Sequence, residues 1–435
     1  MNRSRPRGEN RDPIGAAIAI TAVFGALAAW QVALIAAPIF DEIHYLPAAR
    51  DWIAGDTLRN AEHPLLGKQL LALFMAAFGD DAFGWRIGSV LFGMITLFSA
   101  MRAVWHVSHR AFATLATGVL IATDFTLLVQ ARIAMLDIYM LGLGAAGVWA
   151  CAAALDSGRV GAARVRLAAG GVLMGLAVAA KWNAAPLPAF AGLAFAWARW
   201  RALLRDRRGA LRVLTARDAG PVRGVSLIEA GWWLGVVPVA VYLLHFMTIA
   251  LLSDPPPQWH DPVSWQAHML SLQQGVTTPH TYMSRWWQWA ANTRAIWYFY
   301  EVYAGAQRGI LLVGNPLTML AALPALGYGL YCGARHGRRD MALASWGWIA
   351  AMAMWIAAPK PVQFYYHYLL PSLFVMAALA FMLDRAVWET RFRTWAIPFL
   401  AASVSLFIWF LPVLTGQALA GRDSFLDYAW IEGWR

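Results

Sequence analysis

Two adjacent carboxylates, Asp41 and Glu42, stand where the first long apolar run of the chain gives way to polar residues. A carboxylate in a partly dry pocket can take the proton of a hydroxyl attacking a sugar carbon, provided it is ionised and close. The competing reading is that the pair hydrates a helix end. Further along lies His63-Pro64-Leu65-Leu66-Gly67-Lys68. Its Pro and Gly fix a turn that presents His63 and Lys68, and an ammonium is a point-charge ligand for phosphate. Only three of the 35 basic residues are lysines: Lys68, Lys181 and Lys360. In a chain that defaults to arginine, a lysine marks a place that wants a compact charge rather than a guanidinium fork. Drift in a small sample is the alternative.

The segment from Gln130 to Tyr139 adds Arg132 and Asp137. An ionisable group within a span is costly and faces the bundle or a cavity. Arg132 is placed to bind a lipid phosphate, and Asp137 to orient Arg132 or Lys181. A structural ion pair between spans accounts for Asp137 equally well. A late apolar run opens with Tyr365, Tyr366, His367 and Tyr368. These side chains line a groove for a lipid carrier or a sugar, or form an interfacial aromatic belt. The histidines show no ligand spacing with a carboxylate, so no metal site is expected. Cys151 and Cys332 give no disulfide framework.

The elements that must position these groups are membrane helices. Of 435 residues, 60% are hydrophobic and 14% charged, against roughly 45–50% and about 25% in a soluble domain. Apolar runs near the ~20 residues of a bilayer crossing recur down the chain. They predict an all-α integral membrane protein with about eleven spans. These lie near 14–37, 84–105, 112–128, 133–154, 166–180, 183–199, 228–252, 309–331, 342–358, 364–383 and 394–414. The fifth and sixth are short and meet at Lys181-Trp182-Asn183, so a re-entrant pair is an alternative. Lys and Arg concentrate in every second loop, which puts the N-terminus in the cytoplasm. An odd number of spans then puts the C-terminus outside. The organisation is a basic cytoplasmic tail at 1–13, one membrane domain at 14–414 and an outer tail at 415–435. Long outer loops fall at 38–83, which carries Asp41, and at 253–308.

The net charge of +11 sits in short clusters between apolar runs. That is the pattern of cytoplasmic loops beside a lipid bilayer, not of a nucleic-acid surface. A transporter is disfavoured: the sequence has no internal repeat, and its ionisable residues gather at the outer edge rather than at the midplane. The first apolar run lacks a cleavage pattern and is long enough to span, so it reads as a helix rather than a signal peptide.

At these residues the chain resembles the protein O-mannosyltransferases. Asp41-Glu42 followed by His63 to Lys68 is similar to the family's first luminal loop, which usually reads His-Pro-Pro-Leu-Gly-Lys; Leu65 is a mild departure. Arg132 through Leu136-Asp137 resembles its Arg-x-x-x-Leu-Asp segment, and Ala180-Lys181-Trp182 its Lys-Trp or Lys-Phe step. Trp297-Tyr298-Phe299 and Gly314-Asn315-Pro316 are similar to its C-terminal region. The resemblance implies a GT-C multi-spanning helical bundle. It implies a donor of mannose on polyprenyl or dolichyl phosphate. The acceptors would be Ser or Thr hydroxyls of a secreted or membrane polypeptide, with the secretion translocon a candidate partner. It further implies inversion at the anomeric carbon with Asp41 as base, Glu42 binding acceptor or sugar, Arg132 serving the donor phosphate or the integrity of the site, and no metal or other cofactor. Lys68 and Lys181 enter as phosphate ligands from the residue chemistry above. The loop at 253–308 is too short for the β-trefoil of eukaryotic members. The chain therefore resembles the short bacterial form, in the inner membrane with its site facing the periplasm. Aminoarabinose transferases that modify lipid A share the fold and an acidic first loop, and give a runner-up reading with a lipid acceptor. The His63–Lys68 and Arg132–Asp137 motifs favour protein.

Overall fold

The computed structural model describes residues 11–204, 210–358, 360–389 and 394–435. Most of the basic tail expected at 1–13, and residues 205–209 of a basic loop, lie outside the described residues. The chain opens with α1 (Ile14–Ala29), α2 (Glu42–Ala54) and α3 (Leu66–Phe78). Then come α4 (Ala82–Ser108), α5 (Ala111–Ala122), α6 (Leu136–Leu155), α7 (Val160–Ala180), α8 (Pro186–Leu204) and α9 (Leu227–Leu251). The extramembrane stretch after α9 forms α10 (Pro262–Gln274) and a hairpin of β1 (Ile296–Tyr303) and β2 (Ala306–Leu312). Last are α11 (Pro316–His336), α12 (Arg339–Ala357), α13 (Tyr365–Trp388), α14 (Ala396–Thr415) and the short β3 (Ala418–Leu419). Among the described residues eight helices, α4, α6, α7, α9 and α11 to α14, are long and apolar enough to cross a membrane.

Small residues set how closely the helices approach. A Cβ at Gly147 of α6 would stand 3.2 Å from the Gly170 carbonyl oxygen of α7. Lipid tails are as apolar as leucine, so close backbone packing of this kind holds membrane helices together.

Several boundaries differ from the sequence expectation. Hydropathy carries the first apolar run to 37, but α1 ends at Ala29, where Trp30 turns extended. The two short spans expected at 166–180 and 183–199 are full-length helices at Val160–Ala180 and Pro186–Leu204. The charged start of α7 is helical because Arg164 pairs with Glu229 at 2.5 Å and Arg166 donates to the Ala153 carbonyl at 2.7 Å. The span expected at 309–331 begins only at Pro316, with the Asn315 side chain capping it. Residues 306–312 ahead of it are a strand. The expectation of an all-α protein is corrected by this strand, since β1, β2 and β3 form an antiparallel sheet in that order. Its hairpin turn places Ala304 and Gly305 at φ of 49° and 76°, the left-handed pair that a two-residue hairpin loop needs.

Candidate active site

The junction between α1 and α2 carries the two carboxylates, and it separates their roles. Phe40 sits at φ 49°, a left-handed conformation that a bulky residue adopts only when its surroundings hold it. Its ring packs 4.6 Å from Tyr298 and 6.0 Å from both His280 and Phe364. The turn it makes sends Glu42 fully inward and leaves Asp41 half-buried. Glu42 is fully buried. It receives Arg86 through both oxygens at 2.8 and 2.7 Å, plus the Ile39 and Ala134 amides at 2.7 and 2.8 Å. Arg86 in turn donates to the carbonyls of Val32, Ile35 and Ala37. Glu42 therefore clamps the segment between α1 and α2. Four hydrogen bonds from the protein itself engage its two oxygens.

Asp41 is half-buried, and the hydrogen bond to its carboxylate is a long one, from the Tyr45 hydroxyl at 3.5 Å. Loss of water raises its pKa above the ordinary carboxylate value, Lys181 draws it back down, and Asp137 pushes it up again. A base with unfilled lone pairs and a raised pKa is suited to accept a proton.

Lys181 lies at the break between α7 and α8. There the backbone turns extended at φ −161° before a short 3-10 turn at Trp182–Ala184. Its ammonium donates to Asp137 at 2.6 Å and lies 5.0 Å over the Tyr366 ring. Asp137, in the first turn of α6, also accepts from Asn183 at 3.4 Å. It orients Lys181 and not Arg132. Lys181 borders a cavity of about 300 Å³ that His63, Trp182, Asn183, Gln273, Gln274, Trp355 and Lys360 also line. Burial first, then the charge of Lys181, pushes the Lys360 ammonium down to about 8. Burial and the nearby lysines hold the His63 imidazole well below its ordinary pKa, so at pH 7 it is neutral. His63, Lys181 and Lys360 thus line one cavity, with Asp137 bonded behind Lys181 and Asp41 within the electrostatic reach of Lys181, Asp137 and Lys360.

The other expected phosphate ligands do not join them. The Arg132 guanidinium donates to the carbonyls of Leu27, Ala28, Trp30, Gln31 and Thr415. It caps the C-terminal turn of α1 and straps it to α14. The Lys68 ammonium is buried and donates to the Arg59, Asn60 and His63 carbonyls at 3.3, 2.6 and 3.1 Å. It fixes the loop that carries His63. In this structure Lys68 and the two terminal nitrogens of Arg132 bond to backbone carbonyls, an arrangement that serves the integrity of the site. Tyr365 also works inside the bundle, donating to Asn292 at 2.7 Å and accepting from the Gly314 amide at 2.9 Å. His367 is buried with its ring 3.9 Å from that of Trp355, so it backs the cavity wall rather than facing the cavity.

The sequence singles out Lys360 only by its rarity, and nothing around it points to the site. Sequence reasoning also missed α10, whose Gln273 and Gln274 reach the cavity. The signal was present: Asp261 caps the helix by accepting from the Val263 and Ser264 amides, and Pro262 opens it. Trp265 and Met269, one turn apart, then bury against Phe246 and Ile249. Among the described residues no three His, Cys, Asp or Glu side chains come together as metal ligands.

Comparison with known proteins places this arrangement. The family model for dolichyl-phosphate-mannose-protein mannosyltransferase matches residues 74–251. The model for the C-terminal four-TMM region of protein-O-mannosyltransferase matches residues 258–434. A polyprenol-phosphate-mannose–protein mannosyltransferase of Mycolicibacterium smegmatis is 26% identical over 476 residues, covering 92% of this chain and 88% of the relative. One from Mycobacterium tuberculosis is 27% identical over 475 residues, covering 92% and 87%. The Saccharomyces cerevisiae Pmt1–Pmt2 complex bound to its sugar donor superposes with a TM-score of 0.81 at 14% identity, covering 98% of this chain and 93% of that one. ArnT from Cupriavidus metallidurans bound to undecaprenyl phosphate follows with a TM-score of 0.59 at 15% identity, covering 93% and 77%.

A multi-pass helical membrane protein with this fold is a glycosyltransferase of the GT-C class. The chain belongs to the protein O-mannosyltransferase family.

Proposed function

We propose that the protein transfers mannose from polyprenyl phosphate mannose to Ser or Thr hydroxyls of translocated polypeptides, with inversion. The observation that carries this reading is a weakly bonded carboxylate, Asp41, in the electrostatic field of two lysines, Lys181 and Lys360, that line one cavity. The names of relatives aligned over nearly the whole chain support the same substrates. Asp41 takes the hydroxyl proton as the oxygen attacks the anomeric carbon. The phosphate leaves from the opposite face. An inverting displacement of this kind needs one base, and a phosphate leaving group needs no proton. Negative charge grows on that phosphate as the glycosidic bond breaks, so fixed cations near it lower the barrier. Lys181, locked by Asp137, and Lys360 supply them. In a bacterial inner membrane, with eleven spans and the N-terminus in the cytoplasm, this cavity faces the periplasm, where a translocon delivers extended chains.

Two expected results follow from the lysines. Lys360→Met removes one charge-assisted bond to phosphate, worth about 1.5–3 kcal/mol. That lowers kcat/KM for the donor by about 10–100-fold without changing thermal stability, because Lys360 has no ion-pair partner among the described residues. Steady-state kinetics at varied donor concentration checks it. The pH profile of kcat/KM is the second. Asp41 must be ionised, so activity rises with pH through a value above the ordinary ~3.9 of an aspartate. Lys360 must be protonated, so activity falls again as pH passes about 8. Lys360→Arg keeps its charge at all accessible pH and abolishes the alkaline fall. A flat alkaline limb in the wild type removes Lys360 from the donor site. The configuration of the new glycosidic bond, read by NMR, tests the inverting displacement: a product with the donor's configuration overturns it.

A further inference from the structure

The segment between α10 and the hairpin runs from the cavity wall to Phe40, the neighbour of Asp41. At one end Gln274 is part of the cavity wall. At the other, the Ser284 amide donates to the Gln363 carbonyl at 2.8 Å, and the Gln363 side chain donates to the Lys360 carbonyl at 3.3 Å. Between these anchors His280 rests edge-on against Phe40, the neighbour of Asp41, and against Phe364 at 5.2 Å. Arg294 holds the Thr281 carbonyl at 2.6 Å. The stretch from Val276 to Pro279 is exposed, has no helix or strand structure, and makes no hydrogen bond among the described residues. It reads Val276-Thr277-Thr278-Pro279, and the proline biases Thr278 to an extended backbone. Two exposed Thr hydroxyls thus sit in the short segment between Gln274, in the cavity wall, and His280, which rests against the neighbour of Asp41.

We propose that Thr277 and Thr278 form a self-mannosylation site, an internal acceptor presented by this strap to the protein's own active site. The inference rests on the mannosyl transfer proposed above. In the step, a bond forms between Thr Oγ1 and C1 of mannose, and the bond from C1 to the polyprenyl phosphate oxygen breaks. The electron pair leaves with the phosphate, and the hydroxyl proton passes to Asp41. The strap then holds a sugar next to the cavity wall.

The test uses the full chain in detergent with polyprenyl phosphate mannose and no peptide, followed by peptide mapping by mass spectrometry. One hexose is expected on the fragment containing Thr277 and Thr278. It is absent from the Asp41→Asn protein, and absent from that fragment in a Thr277→Val/Thr278→Val protein that still mannosylates an added Thr peptide. A bare strap in a preparation that mannosylates the added peptide overturns the inference and leaves the proposed function standing. If neither strap nor peptide accepts mannose, the reading of the site fails and the inference fails with it.

Discussion

Asp41→Asn is expected to lower turnover by about 10²–10⁴-fold, the usual contribution of a general base. Donor binding and thermal stability should change little. The reason is local. The Asp41 carboxylate holds a single long hydrogen bond, from Tyr45 at 3.5 Å, so an amide in its place strands no buried partner. Loss of water already disfavours its charge in the folded protein. The charge is therefore present for chemistry rather than for the fold. Donor affinity measured in the variant separates the two roles: an unchanged affinity with a collapsed kcat is the signature of a missing base.

Glu42, the next residue, is expected to give the opposite result. Glu42→Ala leaves Arg86 charged and buried without its partner, which costs about 3–5 kcal/mol. Against a total stability of order 5–15 kcal/mol, that loss shows as poor membrane yield and a large fall in unfolding temperature. The damage spreads because Glu42 also accepts the Ile39 and Ala134 amides, while Arg86 holds three carbonyls of the segment after α1. Thermal unfolding of the purified protein checks this. A Glu42 variant of normal stability with a raised KM for acceptor would return Glu42 to substrate binding.

The membrane character and most of the long helices were readable from the chain, because apolar runs that match the bilayer thickness seldom recur in a soluble core. The motifs also singled out His63 and Lys181, which line the same cavity. What the sequence could not separate was which charged residues face the cavity and which serve backbone. Arg132 and Lys181 carry the same charge and both border membrane helices. One ends on five carbonyls of α1, its neighbouring loop and α14, the other on Asp137 at the cavity. That difference depends on where α1 stops, and hydropathy runs on past Ala29 without a break. Lys360 was singled out by its rarity alone. It sits between apolar segments with no motif around it, and only the fold brings it beside Lys181. The sheet was missed because an aromatic-rich strand and the start of an apolar helix look alike over a few residues. The left-handed Ala304-Gly305 turn is the local sign that distinguishes them.

The central claim is that Asp41 and the two lysines transfer mannose from a polyprenyl phosphate to a polypeptide hydroxyl. It is tested most directly by following labelled mannose from polyprenyl phosphate mannose to a Thr-containing peptide, with wild-type protein beside Asp41→Asn at equal protein level. Transfer by the wild type and its loss in the variant is the predicted result. Undiminished transfer by Asp41→Asn contradicts the assignment of the base. Transfer by the wild type to a lipid acceptor but never to peptide contradicts the assignment of the acceptor.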